Sequence, residues 1–340
     1  MTIGNAKRIA AEWVGHYAET HPLIGAVLHG SIVDAPEADT LPSWSDLDLL
    51  LVMEPADVPL QKPGKLRHRG VLLEASVISI TQLTPPEQLL STYEIAPSFR
   101  HPPLWDPSGR LEAITATVSR RFAEPRWVQA RCDAVYAKIR SGIQGYRRES
   151  QLLDTVNPWL FPAGICAHAV LVAARRNPTV RLRCLRAREV LAEWGALDLY
   201  DAMLALLGCD ALSSREVANL LQLLEPVFDK AAALRQSPFP FQSDISADAR
   251  FIAIDGSRQL IESGHHREAV FWIAVTWERC MRILRADAPE EYRLALPGLQ
   301  AVLDALGAGS PQAVERRLAD IEGFLPVLQA ALAPHIHTRE

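Results

Sequence analysis

Apolar positions along the chain follow two different periods, and the change falls near residue 110. Before it, a helical apolar stripe over residues 3 to 19 predicts one amphipathic helix. Apolar runs that suit strands come next, separated by loops rich in Pro, Gly and charged residues. The predicted strands lie at about 23–29, 46–53, 70–80 and 104–106.

From about residue 110 onward the apolar period is that of helices. The predicted helices lie near 111–122, 127–143, 159–176, 180–194, 197–207, 213–235, 246–262, 266–286, 289–306 and 311–332. No exact internal repeat is visible. The sequence therefore predicts an α+β fold, in which a small mixed-sheet domain is followed by an all-α helical bundle domain.

Two aspartates break the apolar pattern where the strand at 46–53 begins. Asp is disfavoured in strands, yet Asp46 and Asp48 flank Leu47 at the start of a buried apolar run. Since side chains alternate across a strand, both carboxylates leave the same face, with Cβ atoms roughly 7 Å apart. Like charges this close raise each other's pKa unless a cation lies between them. A divalent metal is the simplest candidate, with Mg²⁺ before Zn²⁺, and a solvated strand edge is the alternative.

Two other features point to the same region. Gly30-Ser31 follows a strand-like run, and a glycine there lets the backbone approach a ligand while nearby amides face an anion. Glu74 lies inside the apolar run VLLEASVISI, where a lone carboxylate is costly to bury unless it is paired or bound to metal. Three carboxylates and a turn suited to phosphate therefore fall within about fifty residues.

The pattern of an apolar run, Gly-Ser, a variable loop and then Asp-apolar-Asp-apolar, with a later carboxylate on a neighbouring strand, resembles the nucleotidyltransferase superfamily. That superfamily includes DNA polymerase beta and the aminoglycoside nucleotidyltransferases. The matching positions are Gly30, Ser31, Asp46, Asp48 and Glu74. They cover about the first third of the chain, and the loop between Ser31 and Asp46 is longer than the usual family spacing.

The resemblance implies an in-line displacement at the α-phosphate of a nucleoside triphosphate, assisted by two Mg²⁺ ions about 3.5–4 Å apart. Asp46 and Asp48 are the implied ligands of both ions, and Glu74 either completes the metal shell or acts as general base on the acceptor hydroxyl. Gly30 and Ser31 are the implied holders of the β- and γ-phosphates. The expected partners are ATP, or another nucleoside triphosphate, and a small hydroxylated acceptor that receives AMP.

The helical part resembles, in layout, the substrate-holding domain of aminoglycoside-type enzymes. This implies a catalytic domain over residues 1–110 and a substrate-binding domain over 111–340. Glu149 and Asp154 are candidate acids for binding the acceptor. The arginine-rich stretch 175–188 offers donors to a triphosphate or an acidic acceptor, although a solvated helix pair is the simpler interpretation.

Two polar residues near the predicted sheet have ordinary structural interpretations. His29 ends a strand just before the Gly-Ser turn, and a histidine there is more often structural than a phosphate ligand. Asp106 precedes Pro107 and a predicted helix, so a turn or helix cap is its expected role.

Composition narrows the function classes. The 340 residues carry a formal net charge of −5 and no basic stripe, so neither a nucleic-acid partner nor a polymerase is expected. Five scattered cysteines without a Cys-x-x-Cys pair predict reduced, mostly buried thiols and a cytoplasmic location. No apolar stretch was expected to approach the roughly 20 residues of a membrane span, and no signal peptide was expected at the N-terminus.

Three function classes remain open. The first is a metal-dependent nucleotidyltransferase that acts on a small molecule. The second is a protein-modifying version that transfers AMP to a Tyr, Ser or Thr of a partner protein. The third is a catalytically silent helical scaffold, which the intact acids disfavour, because a decayed site would be free to lose residues that are costly to bury. The oligomeric state is open in all three.

Overall fold

The computed structural model describes residues 1–148 and 151–337, and within them the chain forms four β-strands and twelve α-helices. The strands are β1 (Leu23–His29), β2 (Leu47–Met53), β3 (Gly64–His68) and β4 (Val71–Ser79). The helices are α1 (Ile3–Ala18), α2 (Pro86–Ser91), α3 (Arg110–Arg121), α4 (Pro125–Gln144), α5 (Val156–Ala173), α6 (Arg183–Glu193), α7 (Leu197–Leu206), α8 (Ser214–Leu234), α9 (Gly256–Glu262), α10 (His266–Asp287), α11 (Pro289–Ala305) and α12 (Pro311–His337).

The strands form one mixed sheet in the order β1-β2-β4-β3. β2 is antiparallel to β1 and parallel to β4, and β3 is antiparallel to β4. The predicted α+β class, with a small mixed sheet in the N-terminal part and helices after it, is confirmed.

Because side chains alternate along β2, this strand contributes to the core on both faces of the sheet. Leu47, Leu49 and Leu51 point to one face and pack with the apolar stripe of α1. Leu50 and Val52 point to the other face, where α2 and α3 cover them. Burial on both faces explains why this central strand reads as a nearly continuous apolar run.

β3 was missed by the sequence analysis. His68 pairs with Val71, so β3 and β4 are joined by the two-residue turn Arg69-Gly70. Both turn residues have positive φ, 45° and 81°. This suits a type I′ hairpin, which requires φ > 0 at both central positions. An arginine at the first of them is uncommon, so the hairpin is hard to predict from the sequence.

The strand predicted at 104–106 is not formed. Ala26 of β1 makes only an isolated bridge with Trp105. The Asp106 carboxylate instead accepts hydrogen bonds from the Glu112 backbone amide at 2.8 Å and the Ser108 hydroxyl at 3.3 Å. Asp106 therefore organises the turn before α3, which is the structural role expected of it.

The chain divides into two compact units that are not continuous in sequence. The first comprises residues 1–134, 171–180 and the described residues from His335 onward, and the second comprises 135–170 and 181–334. The expected boundary at residue 110 lies inside the first unit, since Leu111, Ile114 and Val118 of α3 pack against the sheet. The catalytic and substrate-binding roles assigned to the two parts stay predictions.

The second unit is helical in its described residues and centres on α10, which is buried along most of its length and packs against α8, α9 and α11. Trp159 and Trp277 are core residues here. The helix predicted at 246–262 is regular only in α9, because a π-helical turn at Phe251–Asp255 precedes it. All five cysteines are buried and unpaired, and burial raises the pKa of the Cys132 and Cys166 thiols to about 12.

One described segment, Leu152–Ala173, is long and apolar enough to cross a membrane by length and composition alone, with a mean hydropathy of 1.4. This differs from the expectation that no apolar stretch approaches the length of a membrane span. In the structure 83% of the window is buried. A helix that is apolar on all sides is either a core helix or a membrane span, and this burial is that of a core helix.

The layer between α1 and the sheet can be tested at Leu51, which is fully buried. We expect Leu51→Ala to lower the free energy of unfolding by about 2–5 kcal/mol, because the deletion leaves a cavity. Leu60→Ala removes the same atoms at a fully exposed position and should change it by less than about 0.5 kcal/mol. Urea unfolding followed by circular dichroism measures both, and equal costs would contradict the described packing.

Candidate functional site

A row of four polar side chains crosses one face of the sheet. Asp48 on β2 is paired with His29 on β1 and with Glu74 on β4, and Glu74 is paired with Lys65 on β3. Directly paired residues share a face, and neighbouring strands lie about 4.8 Å apart. Strand pairing therefore brings the two carboxylates side by side, with an imidazole at one end of the row and an ammonium at the other.

Asp46 joins this row from the residue before β2. It is two positions from Asp48, so alternation directs both side chains to the same face. One carboxylate oxygen from each of Asp46, Asp48 and Glu74 lies within 4.8 Å of the other two. The structure thus brings together the three acids that the sequence singled out. Their catalytic role stays a prediction.

The three acids, which we call the carboxylate trio, lie where the sheet is only partly covered. Farther along β2, Leu50 and Val52 share the face of Asp48 but are buried under α2 and α3. All members of the trio are half-buried. The site is therefore shielded enough to strengthen electrostatic interactions, while each of the three residues keeps part of its surface exposed.

A lysine ammonium is the cation between these like charges. Lys65 Nζ donates to Asp46 Oδ2 at 2.5 Å and also to Glu74 Oε2, and its side chain is only 6% exposed. Lys62 Nζ donates to the other oxygen of Glu74 at 2.7 Å. A cation was predicted at this position, but as a metal ion, and neither lysine was predicted there.

The two central acids have opposite pKa shifts. Burial by itself would raise the pKa of Glu74, but the charges and hydrogen bonds of Lys65 and Lys62 together outweigh it and lower that pKa to about 2. Burial, followed by the charges of Asp46 and Glu74, raises the pKa of Asp48 well above its ordinary value. Ionisation of Asp48 is therefore disfavoured where it stands, and an added cation beside it would favour the charged form.

Gly30 packs directly against Asp48. Its φ is +68°, and a Cβ built on it would lie 2.1 Å from Asp48 Oδ2. Its carbonyl oxygen accepts a hydrogen bond from the Asn177 amide at 2.5 Å. Ser31, the next residue, is exposed in the single 3₁₀ turn Gly30–Ile32. Glycine is thus needed twice here, for the left-handed backbone and for the close approach of the carboxylate.

His29 is held in place by Ser98, whose hydroxyl lies 2.8 Å from His29 Nδ1. Burial lowers the pKa of His29 to about 4, although the Glu74 and Glu94 charges oppose this shift. The imidazole is therefore neutral near pH 7. This arrangement agrees with the structural role expected of a histidine at the end of a strand.

Among the described residues, most of the other candidate binding residues are engaged in ion pairs or hydrogen bonds. Asp154 accepts from Arg285 at 3.0 Å and lies 3.5 Å from Arg282. Glu149 lies outside the described residues. In the arginine-rich stretch, Arg175 donates to backbone carbonyls and Arg186 pairs with Glu189 three residues later. These contacts favour structural roles over ligand binding.

An open cleft of about 470 Å³ lies elsewhere in the first unit. It is lined by residues 100–106 and by α3, and the carboxylate trio does not line it. Its walls carry Arg100, His101 and Asp106, and Asp106 is already occupied with the turn before α3. The cleft therefore adds nothing to the chemistry of the trio.

The trio fits a hard divalent cation. It offers only carboxylate oxygens, which Mg²⁺ prefers, and the raised pKa of Asp48 marks negative charge that a second positive charge would stabilise. Lys65 lies between two of the expected ligands, so its ammonium has to move aside for an ion to be held by all three.

No protein-family model and no curated protein matches the chain. Among solved structures, a nucleotidyltransferase-like protein from Exiguobacterium sibiricum is similar, with a TM-score of 0.30 and 13% sequence identity over 88% of this chain and 90% of that one. A likeness this distant carries no argument for the expected superfamily or for the finer aminoglycoside-type assignment.

The contact between Gly30 and Asp48 can be isolated with a matched pair of glycines. Gly70 has φ +81° and open space around its missing Cβ, whereas Gly30 has φ +68° and the Asp48 carboxylate beside it. We expect Gly70→Ala to lower the free energy of unfolding by about 1–2 kcal/mol, because alanine is strained in the left-handed backbone conformation. Gly30→Ala should lower it by at least about 1 kcal/mol more, because the added Cβ would also force the Asp48 carboxylate or the backbone to shift. Urea unfolding compares them, and similar costs would show that Asp48 does not press on Gly30.

The role of Lys65 can be tested by Lys65→Met. Removing one partner of a buried ion pair costs on the order of 3 kcal/mol, so the variant should unfold at a lower temperature without metal. It should also gain more thermal stability from Mg²⁺ than the wild type, because the Lys65 ammonium no longer competes with the ion for Asp46 and Glu74.

The control for this experiment is Lys230→Met, which breaks an exposed pair with Glu291. It should change stability by less than about 1 kcal/mol and leave the Mg²⁺ response unaltered. If both lysine variants respond to Mg²⁺ as the wild type does, Lys65 does not hold the place of a metal ion.

Proposed function

We propose that the protein is a metal-dependent nucleotidyltransferase that moves a nucleoside monophosphate, with AMP from ATP as the first choice, to a hydroxyl of a small molecule. The observation that carries this proposal is the gathering of Asp46, Asp48 and Glu74 within 4.8 Å on one sheet face. The Gly-Ser turn beside Asp48 supports it.

The reaction forms a bond between the acceptor oxygen and the α-phosphorus and breaks the bond from that phosphorus to the oxygen bridging to the β-phosphorus. Pyrophosphate leaves, and the acceptor proton passes to a base. Mg²⁺ bound at the trio would polarise the phosphoryl oxygens and neutralise developing charge. The residues supply the rest: Asp46 and Asp48 are ligands, and the low pKa of Glu74 favours a ligand role for it over that of a base.

The turn and the lysines suit a triphosphate. Gly30 lets the turn pass close to Asp48, and the exposed Ser31 that follows it offers an amide and a hydroxyl to a phosphate. When a divalent ion takes the place of the Lys65 ammonium, Lys65 and Lys62 become available to phosphate oxygens. The two lysines would then stabilise the carboxylates when no substrate is bound and would stabilise the triphosphate when it is bound.

The alternatives differ in acceptor and in activity. A protein-modifying enzyme would use the same trio and transfer AMP to a Tyr, Ser or Thr of a partner. A silent scaffold would keep the fold without binding metal and nucleotide. We also propose a cytoplasmic location, which the five unpaired, buried cysteines support.

Triphosphate binding is tested by thermal shift with each of the four nucleoside triphosphates, with and without Mg²⁺. We expect one or more to raise the melting temperature only when Mg²⁺ is present, and Asp48→Asn should abolish that shift. Asp57→Asn makes the same change at an exposed position in the 3₁₀ turn Pro55–Asp57 and should retain it. If no nucleotide gives a Mg²⁺-dependent shift, the scaffold interpretation takes the place of the enzyme.

Acceptor class is tested with the best nucleotide, labelled at the α-phosphate. Transfer to a small hydroxylated compound that is lost in Asp48→Asn supports the proposed activity. Label that instead appears on a protein band in lysate, again only with intact Asp48, supports the protein-modifying alternative. Pyrophosphate release without either product would contradict both transferase interpretations.

A further inference from the structure

A second cluster of ligand-type side chains lies on the other face of the sheet. Glu12 and His16 come from α1, and His68 comes from the end of β3. One ligand atom from each lies within 4.8 Å of the other two. This set, the α1–β3 cluster, is separate from the carboxylate trio.

Two regular elements fix the positions of these side chains. Glu12 and His16 are four residues apart, so they lie side by side on one face of α1. His68 alternates with Arg67 along β3 and shares the face of Leu66, which packs with α1. Lys65 points to the opposite face, toward the trio. The helix therefore meets the hairpin with three potential ligands at the point of contact.

The spacing fits a tetrahedral metal site. His68 Nε2 lies 3.4 Å from Glu12 Oε1. A zinc ion with bonds of about 2.0–2.1 Å separates neighbouring ligand atoms by about 3.3 Å. The rings of His16 and His68 have centroids 6.2 Å apart and are inclined by 73°, so they are not stacked face to face. Small rotations of the exposed His16 side chain can complete the site.

Arg69 holds the remaining oxygen of Glu12. Arg69 Nη1 lies 2.7 Å from Glu12 Oε2, which leaves Oε1 directed to His68. A hydrogen-bonded outer oxygen is the usual arrangement for a carboxylate that binds metal through its other oxygen.

We propose that Glu12, His16 and His68 bind a divalent transition-metal ion, with Zn²⁺ as the best match. Two imidazoles and one carboxylate suit Zn²⁺ and disfavour Mg²⁺, which prefers oxygen ligands. Water fills the fourth position. The bound ion joins α1 to the β3–β4 hairpin, so it stabilises the first unit without entering the nucleotidyl-transfer site.

The test is a titration of the full chain with Zn²⁺ in competition with a chromogenic chelator. We expect one equivalent bound by the wild type, and affinity at least about tenfold weaker in His16→Ala and in His68→Ala. His21→Ala removes another exposed histidine from the same region and should bind as the wild type does. Asp48→Asn should also be unchanged, which separates this site from the trio.

A second readout is independent of activity: Zn²⁺ should raise the melting temperature of the wild type and of Asp48→Asn, and should raise that of His16→Ala less. Since His16 is exposed, its replacement should leave the fold intact, and His16→Gln gives a second variant with a longer side chain. Unchanged Zn²⁺ affinity in the His16 and His68 variants, or no binding by the wild type, would show that the cluster is only a surface ion pair and overturn the proposal. Neither result bears on nucleotide transfer.

Discussion

Repulsion among three carboxylates on one sheet face is the constraint around which the site is built. Parallel pairing of β2 with β4 puts Asp48 opposite Glu74, and alternation adds Asp46. Charges this close are stable only with a cation among them. Lys65 provides one, but the raised pKa of Asp48 shows that the balance is incomplete. Ionisation of Asp48 therefore stays unfavourable at this half-buried position, and a further cation would favour its charged form. The lysine contacts themselves are weak evidence for stability, as buried ion pairs are in general.

The same strand explains why the site lies at one end of the sheet. β2 gives Leu47, Leu49 and Leu51 to the layer under α1 and gives Leu50 and Val52 to the layer under α2 and α3. On the face packed by α2 and α3, only the first residues of β2 are not covered by these helices. Acids there avoid full desolvation, whereas acids two residues farther along would lie in the apolar core.

Much of this could be predicted because it depends on local rules. Asp46 and Asp48 were visible because they break a strand pattern, and Glu74 because a lone acid in an apolar run is costly. The lysines were not visible, because Lys65 lies on a strand that the sequence did not reveal. The contact of Asn177 with Gly30 joins residues 147 positions apart, and no periodicity reports such a pairing. At 104–106 the error is the reverse, because a strand was predicted from the local pattern but is not formed. Trp105 makes only an isolated bridge with Ala26.

The β3–β4 hairpin links the chemistry of the two faces. Lys65 and His68 are three residues apart on β3, so alternation sends the ammonium toward the carboxylate trio and the imidazole toward α1. A slip of one residue in the pairing of β3 with β4 would exchange these faces and put Leu66 among the acids. Because a two-residue turn with positive φ at Arg69 and Gly70 fixes that register, a short and exposed turn determines which cation faces the trio. Arg69, with its left-handed backbone, was hard to anticipate from the sequence, yet it helps to fix this register. Its side chain also orients Glu12, which lies on the α1 face of the sheet.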